Sequence, residues 1–264
     1  LFVAWLGWVF DAMDATIYAI VLHPALHDLL QAGASAGPVT SEQIGWYGGI
    51  VFSIFLIGWA IGGICFGMAA DYFGRTKTLI ATILIYAVFT GLAALSQEWW
   101  HLAIYRFLTA LGIGGEWAAG AAIVAETWPE EKRARAASIL QSAWAAGFFL
   151  AATFNLLLKD YGWRTLFLVG VLPAFVALLV RWWVKEPERW VQAHNRDLRS
   201  ARLSFMHLAE LFKPSLRRGT WVGSTLAFVA VFGLWGATNW APTLVRGMSD
   251  LQEQDAATMA QSVS

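Results

Sequence analysis

The sequence predicts an all-α membrane protein with seven spanning helices. Of 264 residues, 58% are hydrophobic and 14% charged, whereas a soluble domain carries about 25% charge and 45–50% apolar residues. The mean hydropathy is +0.55. Apolar runs of helical length recur along the chain, and the segments between them hold nearly all the proline, lysine and clustered charge. A hydrocarbon core ~30 Å thick takes about 20 apolar residues per helix, so the length accommodates roughly seven crossings.

The runs fall at 1–23, 44–70, 78–95, 101–125, 136–158, 163–184 and 219–241. Pro24 is expected to end the first, and the Gly/Ala/Ser/Pro run at 33–38 separates it from the second. Ser96-Gln97-Glu98 precedes the fourth, and Pro129 with five charges around it precedes the fifth. The first run is too long for a signal peptide and no small-residue cleavage site follows it, so it is expected to remain a span. The sequence opens on Leu1 inside an apolar run and stops at Ser264 in a polar stretch, the pattern expected of a piece of a longer protein.

Orientation follows from the basic residues. The 71–77 and 126–135 loops and the 185–218 segment hold thirteen Lys/Arg, against three (Lys159, Arg164, Arg246) in loops of the other parity. This positive-inside bias places the N-terminal side in the cytoplasm and Ser264 outside, with the inner (plasma) membrane as the expected location. Within 185–218, Leu198, Ala201, Phe205, Leu208 and Phe212 recur at three- and four-residue steps with Arg199 and Arg202 off that face. This describes an amphipathic helix on the membrane surface or against the bundle. The expected organisation is a six-helix bundle over 1–184, a cytoplasmic linker over 185–218, and over 219–264 one further helix and the start of an external loop.

Composition also excludes classes. A net charge of zero removes the case for nucleic-acid binding. One cysteine, Cys65, allows neither an internal disulfide nor a Cys-rich metal site. His23 and His27 have a helical ligand spacing, but no third ligand is evident, so neither metal nor cofactor nor enzymatic activity is expected. A retinal pigment needs a lysine in its last helix, and 219–241 has none. A heptahelical receptor would end on a basic cytoplasmic tail, and this chain ends outside. A channel is harder to exclude from charges alone; against it, no ring of like charges or repeated filter segment is visible.

Ionisable groups inside a bilayer are costly, so each is a functional candidate. Asp11 and Asp14 share one face of the first run, three residues apart; Arg106 and Glu116 lie in the fourth. At 1.5 Å per residue, Asp14 and Arg106 lie at depths that allow pairing, whereas Arg106 and Glu116 are about 15 Å apart along one helix. The alternative is that these charges only tie helices together. The Gly58/Gly62 and Gly63/Gly67 steps read as sites of close helix approach. Trp8, Trp46, Trp99, Trp100, Trp163, Trp182 and Trp183 read as an interfacial belt.

The loop after the second run reads Gly67-Met-Ala-Ala-Asp71-Tyr-Phe-Gly74-Arg75-Thr-Lys77. It resembles the G-x-x-x-D-[RK]-x-G-R-x-[RK] signature of the major facilitator superfamily, with Tyr72 where a basic residue is usual. Arg106-Phe-Leu-Thr-Ala-Leu-Gly112-Ile-Gly114 is similar to that family's R-x-x-x-G-x-G helix, with Ala110 where glycine is common. Asp11-Ala-Met-Asp14, Gly114-Gly-Glu116-Trp117, Glu126-Thr-Trp-Pro129-Glu-Glu-Lys-Arg133 and Glu186-Pro-Glu-Arg-Trp190 resemble its organic-acid branches. The sialate:proton symporter group, with its lactate and monocarboxylate permeases, is the nearest in pattern; aromatic-acid and metabolite:proton symporters are neighbours.

The resemblance implies a fold of twelve helices in two six-helix halves, of which this chain would hold about seven. It implies that the first and fourth helices line a central cavity. It also implies that Asp71, Arg75, Glu126 and Arg133, with Gly67, Gly74 and Lys77, form a cytoplasmic gate. The expected function is symport of a proton with a small organic anion such as a monocarboxylate or sialate. Asp11 and Asp14 would carry the proton, Arg106 would supply the fixed positive charge, and Glu116 would act as relay. The expected partners are that anion, the proton, the lipid bilayer and the remaining half of the polypeptide. A transporter-like sensor that binds without transporting is the competing class.

Overall fold

The computed structural model describes residues 1–33, 38–188, 190–192 and 211–234, with isolated positions beyond. Helix α1 (Phe2–Gly33) carries Pro24 inside it. The expected end at Pro24 is therefore corrected. Ala25, Leu26 and Leu29 continue the buried face past the proline, so packing against the rest of the bundle holds the helix through the lost backbone bond. Helix α2 (Ser41–Phe73) starts at a capping box. The Gln43 amide N–H donates to Thr40 Oγ1 at 3.3 Å, and the Thr40 N–H donates to Gln43 Oε1 at 3.0 Å. It stops at Gly74, whose φ of 116° suits only glycine.

Helices α3 (Arg75–Ala93) and α4 (Trp99–Thr127) follow. The expected fifth run is α5 (Glu130–Gln141) and α6 (Ala143–Leu158), joined at Ser142. The expected sixth run is divided into α7 (Trp163–Val169) and α8 (Pro173–Trp183). Pro173 has no N–H and its ring excludes the carbonyl four residues back. The chain accordingly tightens to i−3 bonds, with the amides of Gly170, Val171 and Leu172 donating to Phe167, Leu168 and Val169 at 3.0–3.1 Å.

Five described stretches are long and apolar enough to cross a bilayer: Phe2–Ala32, Ser41–Phe73, Arg75–Ala93, Trp99–Thr127 and Glu130–Tyr161. Within the first compact unit, Leu1–Leu203, α4 packs between α2 and α3, α1 lies along α6, and α8 lies along α3. The second unit, Ser204–Ser264, contains a helical stretch over 217–234. Most of the expected amphipathic helix (Leu198, Ala201, Phe205 and Leu208) lies outside the described residues.

The tryptophan belt is partly corrected. Trp46, Trp100, Trp182 and Trp183 are exposed, but Trp8 and Trp163 are buried. Trp8 stacks on Trp117 of α4 with ring centroids 4.2 Å apart, and the Trp163 indole N–H donates to Asp28 Oδ2 at 2.9 Å. Both anchor helices to one another.

Candidate functional site

The four membrane charges lie on α1 and α4, the two most buried of the five long helices. All four are sealed inside the bundle: Asp11 is 2% exposed, Asp14 1%, Arg106 0% and Glu116 1%. Asp14 and Arg106 meet as the depth argument expects. Arg106 Nη1 donates to Asp14 Oδ1 at 3.1 Å and lies 2.9 Å from Oδ2. The Thr90 hydroxyl of α3 donates to the same Oδ1 at 3.0 Å, and Thr109 stands 3.4 Å from Thr90. The guanidinium carbon lies 4.6 Å from the Tyr18 ring centroid and 4.8 Å from that of Phe55, with Phe167 at 5.9 Å. A planar, weakly hydrated cation suits an aromatic enclosure of this kind, where an ammonium would lose more hydration.

Asp11 and Glu116 form a second locus. Asp11 interacts electrostatically with Glu116 and with Asp14, and the Trp117 indole is beside it. Neither carboxyl has a hydrogen-bond partner among the described residues. Gly7 of α1 makes the room: a Cβ there would run into Glu116 Oε1. No ion pair joins Arg106 to Glu116 among the described residues, as the helical rise requires.

The motif-bearing end of the bundle holds a third set. Arg75 pairs with Asp71 and with Glu126, its Nη2 donating to Glu126 Oε1 at 2.8 Å. Arg133 and the Lys77 side chain join no ion pair among the described residues, and the Nε of Arg133 is buried without a partner. Gly67 lies at ordinary contact distance from Ala118, a Cβ there being 3.7 Å from that of Ala118.

Glu186, quoted from the sequence only as part of a motif, is the residue that completes this end. Its carboxylate accepts from the Thr76 N–H at 3.1 Å and the Lys77 N–H at 3.2 Å, capping α3 from beyond α8. The Trp190 indole N–H donates to the Asp71 carbonyl at 2.8 Å. A cavity of 510 Å³ beside it is lined by Glu126, Lys185, Glu186 and Glu188, among others. Glu186→Ala is expected to cost about 1–2 kcal/mol, because two orphan amides lose an anionic cap at a helix N-terminus. Thermal unfolding of the full-length protein in detergent checks this, with Glu186→Gln expected to lose less.

Thr90, Tyr18, Phe55 and Glu186 do not stand out in the sequence as site residues. A threonine or aromatic residue in an apolar run carries no signal of its own. Glu186 was detectable as a carboxylate two residues past a span, but its partner is set by the packing of α3 on α8.

The sequence profile described as Major Facilitator Superfamily matches residues 4–263. A putative metabolite transport protein of Haemophilus influenzae is 36% identical over 245 residues, covering 90% of this chain and 57% of that protein. The sialic acid transporter NanX of Escherichia coli is 33% identical over 241 residues, covering 91% of this chain and 54% of that one. The chain thus spans about half the length of these relatives. The partially occluded, inward-open structure of the E. coli xylose transporter XylE matches with a TM-score of 0.71 at 21% identity, covering 95% of this chain and 65% of that one. That likeness is one of fold.

Proposed function

The chain belongs to the major facilitator superfamily, and from that premise we propose that it is part of a secondary active transporter that carries a small organic anion together with a proton by alternating access. In this reading residues 1–184 are the N-terminal bundle, 185–218 the cytoplasmic linker and 219–264 the start of the second half. The protein sits in the inner membrane with its N-terminal side in the cytoplasm. The observation that carries the reading is the Arg106–Asp14 pair, closed off between α1 and α4 with a second acid, Asp11, one turn away.

Arg106 is the fixed positive charge. While Asp14 is ionised, it holds Arg106 through Nη1 alone, with Nε and Nη2 unpartnered among the described residues; a proton on Asp14 weakens that hold and frees Arg106 to attract a carboxylate. Proton and anion then bind together, and the loaded cycle is electroneutral for a monoanion. Asp11 and Glu116 bring the proton to and from this point. The ion pairs of Arg75 with Asp71 and Glu126, with Gly67, Gly74, Lys77 and Arg133 around them, act as the cytoplasmic gate. A relative that transports sialic acid supports an acidic substrate.

The test uses the full-length polypeptide in proteoliposomes with an imposed inward proton gradient. Labelled N-acetylneuraminate, lactate and benzoate are offered in turn, and both net accumulation and counterflow are recorded. One of the three is expected to accumulate against its gradient, and Asp11→Asn and Asp14→Asn are each expected to abolish that accumulation. Accumulation that survives both substitutions overturns the coupling assignment. Binding of a substrate without counterflow overturns transport itself and identifies a sensor.

A further inference from the structure

Two buried acids on α1 and α4 are left over once the Arg106–Asp14 pair is accounted for. Asp11 and Glu116 are as deeply buried as the ion pair, yet none of their four carboxyl oxygens has a hydrogen bond of full geometry among the described residues; the Trp117 indole N–H is turned toward Asp11 without reaching that geometry. Glu116 reaches α1 at Gly7, where its Oε1 occupies the space a Cβ would need, and Asp11 stands one helical turn along the same face of α1. The only cation near them on either helix, Arg106, is about 15 Å along α4 from Glu116 and is engaged by Asp14 at 2.9 Å.

Among the described residues, three other groups interact with them. From α1 there is Asp14; from α3, the Tyr86 hydroxyl, buried and unpartnered; from α4, Trp117. The Trp8–Trp117 stack stands alongside, and Trp59 of α2 packs edge-on against Trp117. None of these brings a positive charge. Two ionised carboxylates enclosed together in a low-dielectric interior without a cation repel each other and are poorly solvated. A single proton shared between them removes the repulsion and supplies the missing hydrogen bond.

We infer that Asp11 and Glu116 hold one proton between them in the resting protein while Asp14 remains ionised against Arg106. The pair is a proton store one helical turn from the ion pair. This rests on the reading of the site as proton-coupled, and it specifies where the proton waits before substrate arrives. It also separates the roles of two acids that look equivalent in sequence: Asp14 is the counter-ion of Arg106, and Asp11 is half of a carboxyl pair. The short i,i+3 step from Asp11 to Asp14 is the transfer route, and Gly7 is the residue that lets Glu116 lie against α1 at all.

The test needs no substrate, so it is independent of the transport assay. Infrared difference spectra of the full-length protein in lipid nanodiscs are recorded through a pH titration, following the carbonyl band of protonated carboxylic acids. Wild type is expected to show one such band that titrates as a single proton. Asp11→Asn and Glu116→Gln are each expected to displace its midpoint by about one pH unit or more, a tenfold change in proton affinity. The double variant should lack it. Thr90→Ala, which removes a donor to Asp14 and leaves the pair intact, should keep the band in place. Absence of any titrating band in the wild type overturns the inference and needs no variant to fold. So does a midpoint that moves in Thr90→Ala but in neither Asp11→Asn nor Glu116→Gln.

Discussion

Arg106→Met is expected to destabilise the full-length protein by about 3–5 kcal/mol, the loss typical when one partner of a buried ion pair is removed. The reason is what remains. Asp14, 1% exposed, would be left with a single hydroxyl donor, Thr90 at 3.0 Å, in place of a guanidinium at 2.9 Å. The rings of Tyr18 and Phe55 would lose the cation that lies over both. Arg106→Lys should lose less, since the charge is kept and only the planar contact goes. Asp14→Asn combined with Arg106→Met should recover much of the loss, because neither charge is then stranded. Unfolding of wild type, Asp14→Asn, Arg106→Met and the double variant in detergent, followed by size-exclusion chromatography after heating, gives the double-mutant cycle. An Arg106→Met protein as stable as wild type would mean that the pair contributes nothing to holding α1 against α4.

How much of this was readable in advance differs from residue to residue. The Asp14–Arg106 pairing was legible because helical rise converts residue number into depth, and two opposite charges at one depth in a bilayer have few other partners. The separation of Glu116 from Arg106 followed from the same arithmetic. Asp11–Glu116 was not legible, because it depends on the azimuth of α1 against α4, which is set by Gly7 and by the Trp8–Trp117 stack. Trp8 was misread for a related reason: a tryptophan early in an apolar run looks like an interfacial anchor until a second ring is known to face it. Pro24 and Pro173 show the same limit from the backbone side. Each carries an identical local signal, yet buried Leu26 and Leu29 carry α1 through the first, while α7 stops short of the second.

The glycine steps of α2 separate what spacing alone could not. Gly58/Gly62 and Gly63/Gly67 have the same four-residue interval, but only the first is tight against α4. A Cβ on Gly62 would lie 2.7 Å from Leu111 Cα, whereas one on Gly63 or Gly67 would reach only ordinary contact at 3.7 Å. The matching position on α4 is Gly114, where a Cβ would lie 2.7 Å from the Gly63 nitrogen and 2.9 Å from Trp59 Cδ1. Backbone cannot rotate away as a side chain can, so α2 and α4 would have to separate. Gly114→Val is therefore expected to cost about 3 kcal/mol or more, at or beyond the upper end of overpacking penalties. It should also disturb the Arg106 enclosure, because Phe55 reaches the guanidinium from α2. Gly49→Ala is the control on the same helix: a Cβ there meets nothing within 4 Å, and the better helix former should be neutral or stabilising by about 0.5–1 kcal/mol. Heating curves of the two variants beside wild type decide it. Equal shifts for Gly114→Val and Gly49→Ala would show that the α2–α4 contact does not depend on backbone approach at Gly114.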